Sequence, residues 1–353
     1  MRDITVDRFS VCVVTVTYGD RWHLLSKVLD TLCCLPAVTR IIVVDNGAAY
    51  NLDERIWPMY SDRVEVVGSG KNEGSARGFC TGLRAARESS DAEFIWILDD
   101  DNCPETGALD ELKACYLKLG RERDPQRLAL MALRTDREYF MRIAGGADPK
   151  KVFARENSFL DFHILDAPKR VLRKLLGRRS RPTRSGVRYA KIPFGIYGGL
   201  LFHKQLLDRV GYPDEDFYLY GDDTDFTARI TEDGGELFLV SGSRIRDLES
   251  SWHVSSLEDK TSRLRKLVNA PEYRIYYAIR NGVFLSVHRW RTRLWVWRVN
   301  KVFFMALLHV YMYWIRRMDR WHLVARAVRD GIWGNLGEDK NLRDNSPVEG
   351  TLA

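Results

Sequence analysis

The stretch Phe94-Ile-Trp-Ile-Leu-Asp-Asp-Asp101, continued by Asn102-Cys-Pro104, decides how this chain reads. Five apolar residues, several of them bulky, read as a buried strand. Three consecutive carboxylates then close it. Buried strands do not normally end so, because like charges repel and unpaired carboxylates resist desolvation. A divalent cation at the strand end removes the conflict. Side chains alternate along an extended segment, so Asp99 and Asp101 share one side and Asp100 takes the other. Hard oxygen donors suit Mg²⁺ or Mn²⁺, which bridge readily to a diphosphate. The plainer reading is a solvated acidic turn that caps a helix starting near Glu105.

Working outward, the alternation of elements sets the fold class. Val11–Thr17 is a β-branched run and a first strand. A helix follows from Trp22 to Leu35, with Leu24, Leu25, Val28 and Leu32 at helical spacing. Ile41–Val44 is a second strand ending in Asp45-Asn46-Gly47, and Val64–Val67 a third ending in a glycine-rich loop to Gly78. A helix over about Ser75–Glu88 leads to the fourth strand, Phe94–Leu98. Such alternation implies a parallel sheet with helices on both faces. Sheets of this kind place ligands beyond the carboxyl ends of their strands, where Tyr18, Asp45, Asn72 and the Asp99–Asp101 run all fall. Asp45 suits a ribose hydroxyl or base NH there, or merely closes a turn. The glycines after Val67 match neither a P-loop nor a dinucleotide fingerprint.

Composition narrows the partners. The 353 residues allow two domains, or one large domain with an appendage. A net charge of +7 points to an anionic partner: nucleic acid, a membrane surface or a phosphorylated substrate. Six cysteines show no CxxC pair, which fits free thiols in a reducing compartment. The N-terminus has no apolar signal core, and no segment reaches the length needed to span a bilayer. The expectation is a cytoplasmic protein.

The second half is less regular. Leu128–Leu133 is a short apolar segment. Residues 134–190 are basic, with Val171–Leu176 as a short amphipathic helix, and read either as a solvated insertion or as a contact for anionic lipid or a diphosphate-bearing acceptor. Gly198-Gly199 before an apolar strand suggests close approach of backbone to ligand. A helix is expected from about His203 to Val210. Gly221-Asp-Asp-Thr-Asp-Phe226 then opens another helix with acids in its first turn. Acids there stabilise a helix, but a carboxylate held at a helix start also suits a general base. Glu236–Val240 is a strand. His253, after both acidic groups, is either structural or the imidazole completing a carboxylate metal site. Val302–Ile315 is almost wholly apolar, with arginines and tryptophans around it, as in an interfacial membrane anchor; the alternative is a helical bundle packed on the main domain or an oligomer interface.

Taken in order, Val16–Arg21, Val43–Gly47, Lys71–Phe79, Leu98–Asp101, Gly198–Phe202, Gly221–Phe226 with Arg229, and Trp252-His253 resemble the family 2 inverting glycosyltransferases, most closely the galactofuranosyltransferase and rhamnosyltransferase branch. The resemblance runs from about residue 10 to 290. It implies an α/β GT-A (Rossmann-like) fold: a mixed, mostly parallel sheet with helices on both faces, plus a C-terminal helical region. The expected division is a catalytic domain over 1–255 including the basic insertion, a helical, aromatic and basic region over 256–336, and a disordered tail over 337–353. Thr17, Tyr18, Arg21, Asp45, Asn72, Asp99 and Asp100 would meet the donor. Asp99, Asp101 and His253 would hold Mn²⁺ or Mg²⁺. Asp223 would be the general base with Asp222 beside it, although GDDTDF departs from relatives that carry Trp and Glu, so the pair can be displaced by one position. Gly198, Gly199 and Trp252 are assigned to the acceptor.

The resemblance implies an envelope-glycan transferase, peripheral on the cytoplasmic membrane face. UDP-galactofuranose is the favoured donor and a lipid-linked glycan the acceptor, with dTDP-rhamnose as the alternative donor. A nucleotidyltransferase would carry a basic glycine-rich signature near the N-terminus, which Val11–Arg21 lacks. A non-catalytic membrane- or nucleic-acid-binding protein leaves both acidic groups unexplained, since these repel phosphate without a metal.

Overall fold

A computed structural model describes residues 9–60, 62–153, 155–166, 186–249 and 267–342. Trp252, His253, the segment Val171–Leu176 and residues 343–353 lie outside them.

The strands β1 (Val11–Gly19), β2 (Val38–Ala48), β3 (Val64–Gly68) and β4 (Phe94–Ile97) form a parallel set in the spatial order β3-β2-β1-β4. Beyond β4 the sheet turns mixed. β8 (Leu200–His203) runs antiparallel to both β4 and β6 (Leu128–Arg134), and β6 runs parallel to β9 (Glu236–Asp247). Two short strands, β5 (Asn102–Pro104) and β7 (Tyr189–Ile192), pair antiparallel with β9. The helices α1 (Trp22–Cys33), α2 (Leu52–Tyr60), α3 (Ser75–Ser89) and α4 (Ala108–Leu119) join and cover these strands.

Each face of the sheet has its own core. Val11, Val13 and Trp96 pack on one side with Leu25, Val28 and Leu112. Val14, Val16 and Ile97 pack on the other with Phe79 and Leu83. Burial on both faces is why these strands read as continuous apolar runs instead of alternating ones.

Three boundaries differ from expectation. β2 runs on through Asp45, which pairs with Thr17 and Gly68 inside the sheet. The helix expected near Glu105 starts only at Ala108, because Asn102–Pro104 is held in extended pairing with residues 245–247. The helix expected over His203–Val210 is a 3₁₀ turn, Lys204–Leu206, followed by the single turn α7 (Leu207–Val210). Between β6 and β7 lie α5 (Glu138–Ala144) and α6 (Pro149–Val152).

The helix α8 (Asp222–Glu232) carries the second acidic group. The C-terminal helices α9 (Glu272–His288), α10 (Leu294–Trp314) and α11 (Met318–Trp333) share a third core around Tyr277, Val283, Met312 and Val324. This layer is tied to the sheet domain. Asn281 of α9 is fully buried and donates to the carbonyls of Phe217, Leu219 and Tyr220, the loop leading into α8. Residues 337–342, assigned above to the tail, pack on the same layer: Arg280 Nη1 donates to Gly337 O at 2.6 Å, and Asp339 N to Tyr277 Oη at 2.8 Å. No helix among the described residues is long and apolar enough to cross a membrane. All six cysteines are free.

Candidate active site

The first acidic group sits where β4 ends. Asp100 points inward and is almost fully buried. Thr17 Oγ1 donates to its Oδ2 at 2.7 Å, and Arg21 Nε to its Oδ1 at 3.0 Å. Burial pushes its pKa up to about 6, against the opposing pull of Arg21. Asp100 and Thr17 thus occupy each other, and neither hydroxyl nor carboxylate is left open to a ribose in this conformation. Arg21 also reaches Asp101 Oδ2 at 3.0 Å and Glu249. Asp101 takes a further bond from Asn102 Nδ2 at 2.7 Å.

Asp99 is half-exposed and faces a second arginine. Arg134, at the end of β6, is fully buried and lies 3.6 Å from Asp99 Oδ2. It also meets Asp136 at 2.9 Å, Asp247 at 2.7 Å and Asn102 Oδ1 at 2.6 Å. Asp99 is raised by desolvation and then by the charge of Asp101. Asp247 rises to about 7, chiefly through burial.

These oxygens fit a hard divalent cation. Asp99 and Asp101 are crowded like charges, and the buried Oδ1 of Asp247 beside them has no hydrogen-bond partner among the described residues. Among the described residues no set of three His, Cys, Asp or Glu side chains forms a ready metal centre; His253 of the expected set lies outside them.

The second group divides its labour. Asp222 is buried against Tyr197, and Ser75 Oγ at the start of α3 approaches its Oδ2 at 3.3 Å. Burial, then the charge of Asp223, pushes Asp222 up to about 8, which favours its neutral form. Asp223 is more open; Thr224 N donates to its Oδ1 at 2.6 Å, and its raised pKa comes first from burial. Asp225 is a structural member, clamped by Arg229 at 2.9 Å and Arg289 at 2.6 Å.

Arg137, which follows the Asp136 bonded to Arg134, acts electrostatically on both Asp99 and Asp223 and lowers the pKa of each. Both acidic groups therefore lie within reach of the Arg137 charge.

The other expected donor residues are spread around the same strand ends. Tyr18 is exposed, with Arg21 over its ring. Asp45 spends Oδ1 on the amides of Gly47 and Ala48, closing its own turn, and lines a cleft of about 330 Å³ with Asn46, Gly68, Glu73 and Arg77. Asn72 Oδ1 accepts from Gly74 N at 3.1 Å, which shapes the loop before α3. Buried Asn46, overlooked in the sequence, shares that work by accepting from Glu73 N and donating to Gly74 O.

The glycine pair lies deeper than an acceptor contact requires. A Cβ on Gly198 would collide with Asn102 Oδ1 and Arg134 Nη1 and stand 2.9 Å from Asp99 Oδ2. One on Gly199, at φ +107°, would press on Ala132 and Ile245. Both glycines serve packing beneath the acids. Arg134, Asp136, Arg137 and Asp247 were missed. The available signal was that β6 and β9, like β4, are apolar runs that end in charge.

Residues 12–118 match the family model described as glycosyl transferase family 2. The galactofuranosyltransferase GlfT1 of Mycolicibacterium smegmatis (strain ATCC 700084 / mc(2)155) is 27% identical over 240 residues, which is 64% of this chain and 66% of that protein. The chain thus spans just under two thirds of that relative's length. Among solved structures, GalNAc-T7 with UDP, GalNAc and Mn²⁺ aligns with 77% of this chain and 50% of its own at 16% identity and a TM-score of 0.49. The mannosyltransferase PcManGT of Pyrobaculum calidifontis, in complex with GDP-Man and Mn²⁺, aligns over 92% and 87% at 16% identity and a TM-score of 0.46.

Proposed function

From the match of residues 12–118 to the glycosyl transferase family 2 model, we propose that this chain is an inverting, metal-dependent transferase moving galactofuranose from UDP-galactofuranose to a hydroxyl of a lipid-linked glycan. The observation that carries the reading is a half-buried Asp223 beside a fully buried Asp222, with the Arg137 charge acting on both Asp223 and Asp99. The resemblance to a galactofuranosyltransferase supports the choice of donor.

In this mechanism Asp223 accepts the proton of the acceptor hydroxyl as that oxygen attacks the anomeric carbon. Asp222 stays neutral beside it, which keeps a second negative charge away from the base. One displacement on the opposite face from the leaving group inverts the anomeric centre and needs no covalent enzyme intermediate. Asp99 and Asp101, with His253, would hold Mn²⁺ or Mg²⁺, and the cation would supply charge neutralisation for the departing diphosphate. Arg134 and Arg21 hold those carboxylates in place from below and from the side. Tyr18 and Asp45 line the approach for the nucleotide.

Donor binding by calorimetry tests this, with UDP-galactofuranose and dTDP-rhamnose compared in Mn²⁺ and in chelator. Metal-dependent preference for UDP-galactofuranose is the expected result. Preference for dTDP-rhamnose refutes the donor and keeps the chemistry. Absence of metal-dependent binding by either sugar nucleotide refutes the metal assignment.

A further inference from the structure

We propose that the outer face of α10 is a docking surface for an anionic phospholipid membrane, with the helix lying flat in the interface. This deepens the membrane side of the function proposed above, but it stands on a separate part of the molecule.

The face is unusual for a folded chain. Trp297, Asn300, Leu308 and Met312 point inward and are buried. On the outward side Trp314 is 80% exposed, Trp295 67%, Val310 66% and Leu307 61%. Of the side chains α10 exposes, only Arg298 and His309 are neither apolar nor aromatic. Phe303, Leu307, Val310 and Trp314 line a shallow, almost wholly apolar groove of about 430 Å³. A continuous patch of this kind marks an interaction site.

Charge says what covers it. Residues 290–317 contain six Lys or Arg and no Asp or Glu. Arg291, Arg293, Arg298 and Arg316 have no ion-pair partner among the described residues, although acids pair freely with arginines elsewhere. A second copy laid on this face would set like charge against like. Anionic headgroups meet the basic rim while acyl chains meet the apolar stripe. Exposed Trp295 sits near one end of the stripe, and Tyr313 and Trp314 at the other, as amphipathic rings do at a headgroup boundary. At ~1.5 Å per residue, the 21 residues of α10 give a stripe about 30 Å long, with one face buried on α9 and α11 and the other left for the interface. Trp297 Nε1 donates to Ser286 Oγ of α9 at 2.7 Å, and α9 in turn holds the loop before α8 through Asn281. The docked helix is therefore braced against the element that carries the general base.

The test is co-sedimentation of the full chain with phosphatidylcholine vesicles, with and without phosphatidylglycerol, at low and high salt. Calorimetric donor binding and light scattering are run on the same material. The chain should pellet with anionic vesicles and release in high salt. Arg298→Gln with Arg316→Gln should weaken vesicle binding on the order of 30-fold, about fivefold per lost charge. Leu307→Glu with Val310→Glu should abolish pelleting while leaving the thermal melt and donor binding unchanged, since both sites are exposed. Equal binding to neutral vesicles, or no binding by the unaltered chain, overturns the proposal. So does a solution oligomer that the double Glu variant disperses, which makes the face a contact between copies. Each of these outcomes leaves the donor measurement readable, so the fate of the catalytic reading is decided separately.

Discussion

Replacing Asn281 with alanine probes how the C-terminal helices support the active site. Its amide nitrogen lies 2.9, 2.9 and 2.7 Å from the carbonyls of Phe217, Leu219 and Tyr220, which share its two N–H groups. Its Oδ1 accepts from Arg280 Nε at 2.8 Å. Tyr218 and Tyr220 have φ of 62° and 65°, in the left-handed region that side chains disfavour, so this loop needs outside support. Phe217 O keeps a donor in Arg280 Nη2. At about 1 kcal/mol for each of the two amide N–H groups and somewhat more for the bond from the guanidinium, Asn281→Ala should cost about 3.5 kcal/mol. With an unfolding entropy of roughly 2 cal/mol/K per residue, 353 residues turn that into a Tm about 5 °C lower. Differential scanning calorimetry measures it. Asn281→Asp, the same size but with donors replaced by acceptors, should fall at least as far. Turnover should drop in both variants because the loop leads directly into Asp222 and Asp223. A Tm change under about 1 °C with unchanged turnover refutes the reasoning, since it means the loop is held without these bonds.

Asp223→Asn should lose most turnover while retaining donor affinity; near-normal turnover means the base lies elsewhere. Asp101→Ala should weaken donor binding in Mn²⁺ and leave the residual affinity in chelator unaltered, and equal affinities in both conditions for the unaltered chain contradict the metal assignment. The pH dependence of stability follows from Asp222, whose pKa rises in the fold from the ordinary 3.8 to about 8 through burial and then Asp223. The folded chain keeps a proton that the unfolded chain has released. Its contribution is full below about pH 4 and is lost as pH rises through 8. Asp222→Asn should therefore flatten the fall in Tm between pH 5 and pH 8, and a variant with the parent's slope rules out that origin.

The parallel half of the sheet was legible because its strands are buried on both faces. Val11–Thr17, Ile41–Val44, Val64–Val67 and Phe94–Leu98 are short apolar runs bounded by turn residues, and each lies in or overlaps a strand. The first acidic group was legible because carboxylates at the end of such a run violate local expectation, and the second because three acids crowd the first turn of one helix. The strands β5 and β7 were not legible. They are three and four residues long, and their extended form comes from pairing with β9, which local sequence does not encode.

What the sequence determined by itself is therefore the layering of the first half and the two places where charge meets the end of an element. Tertiary structure decided what each charge does. Asp247 reaches Arg134 across 113 positions because β6 and β9 run side by side, and Arg134 in turn stands under Asp99. Asp100, expected to meet the donor, is buried against Thr17 and Arg21. Asp225, close by in the same motif as Asp223, is closed off by Arg229 and Arg289. A carboxylate's pKa and reach depend on which cations and how much water surround it. Those surroundings are assembled from distant segments, so spacing along the chain could nominate these residues but not assign their roles.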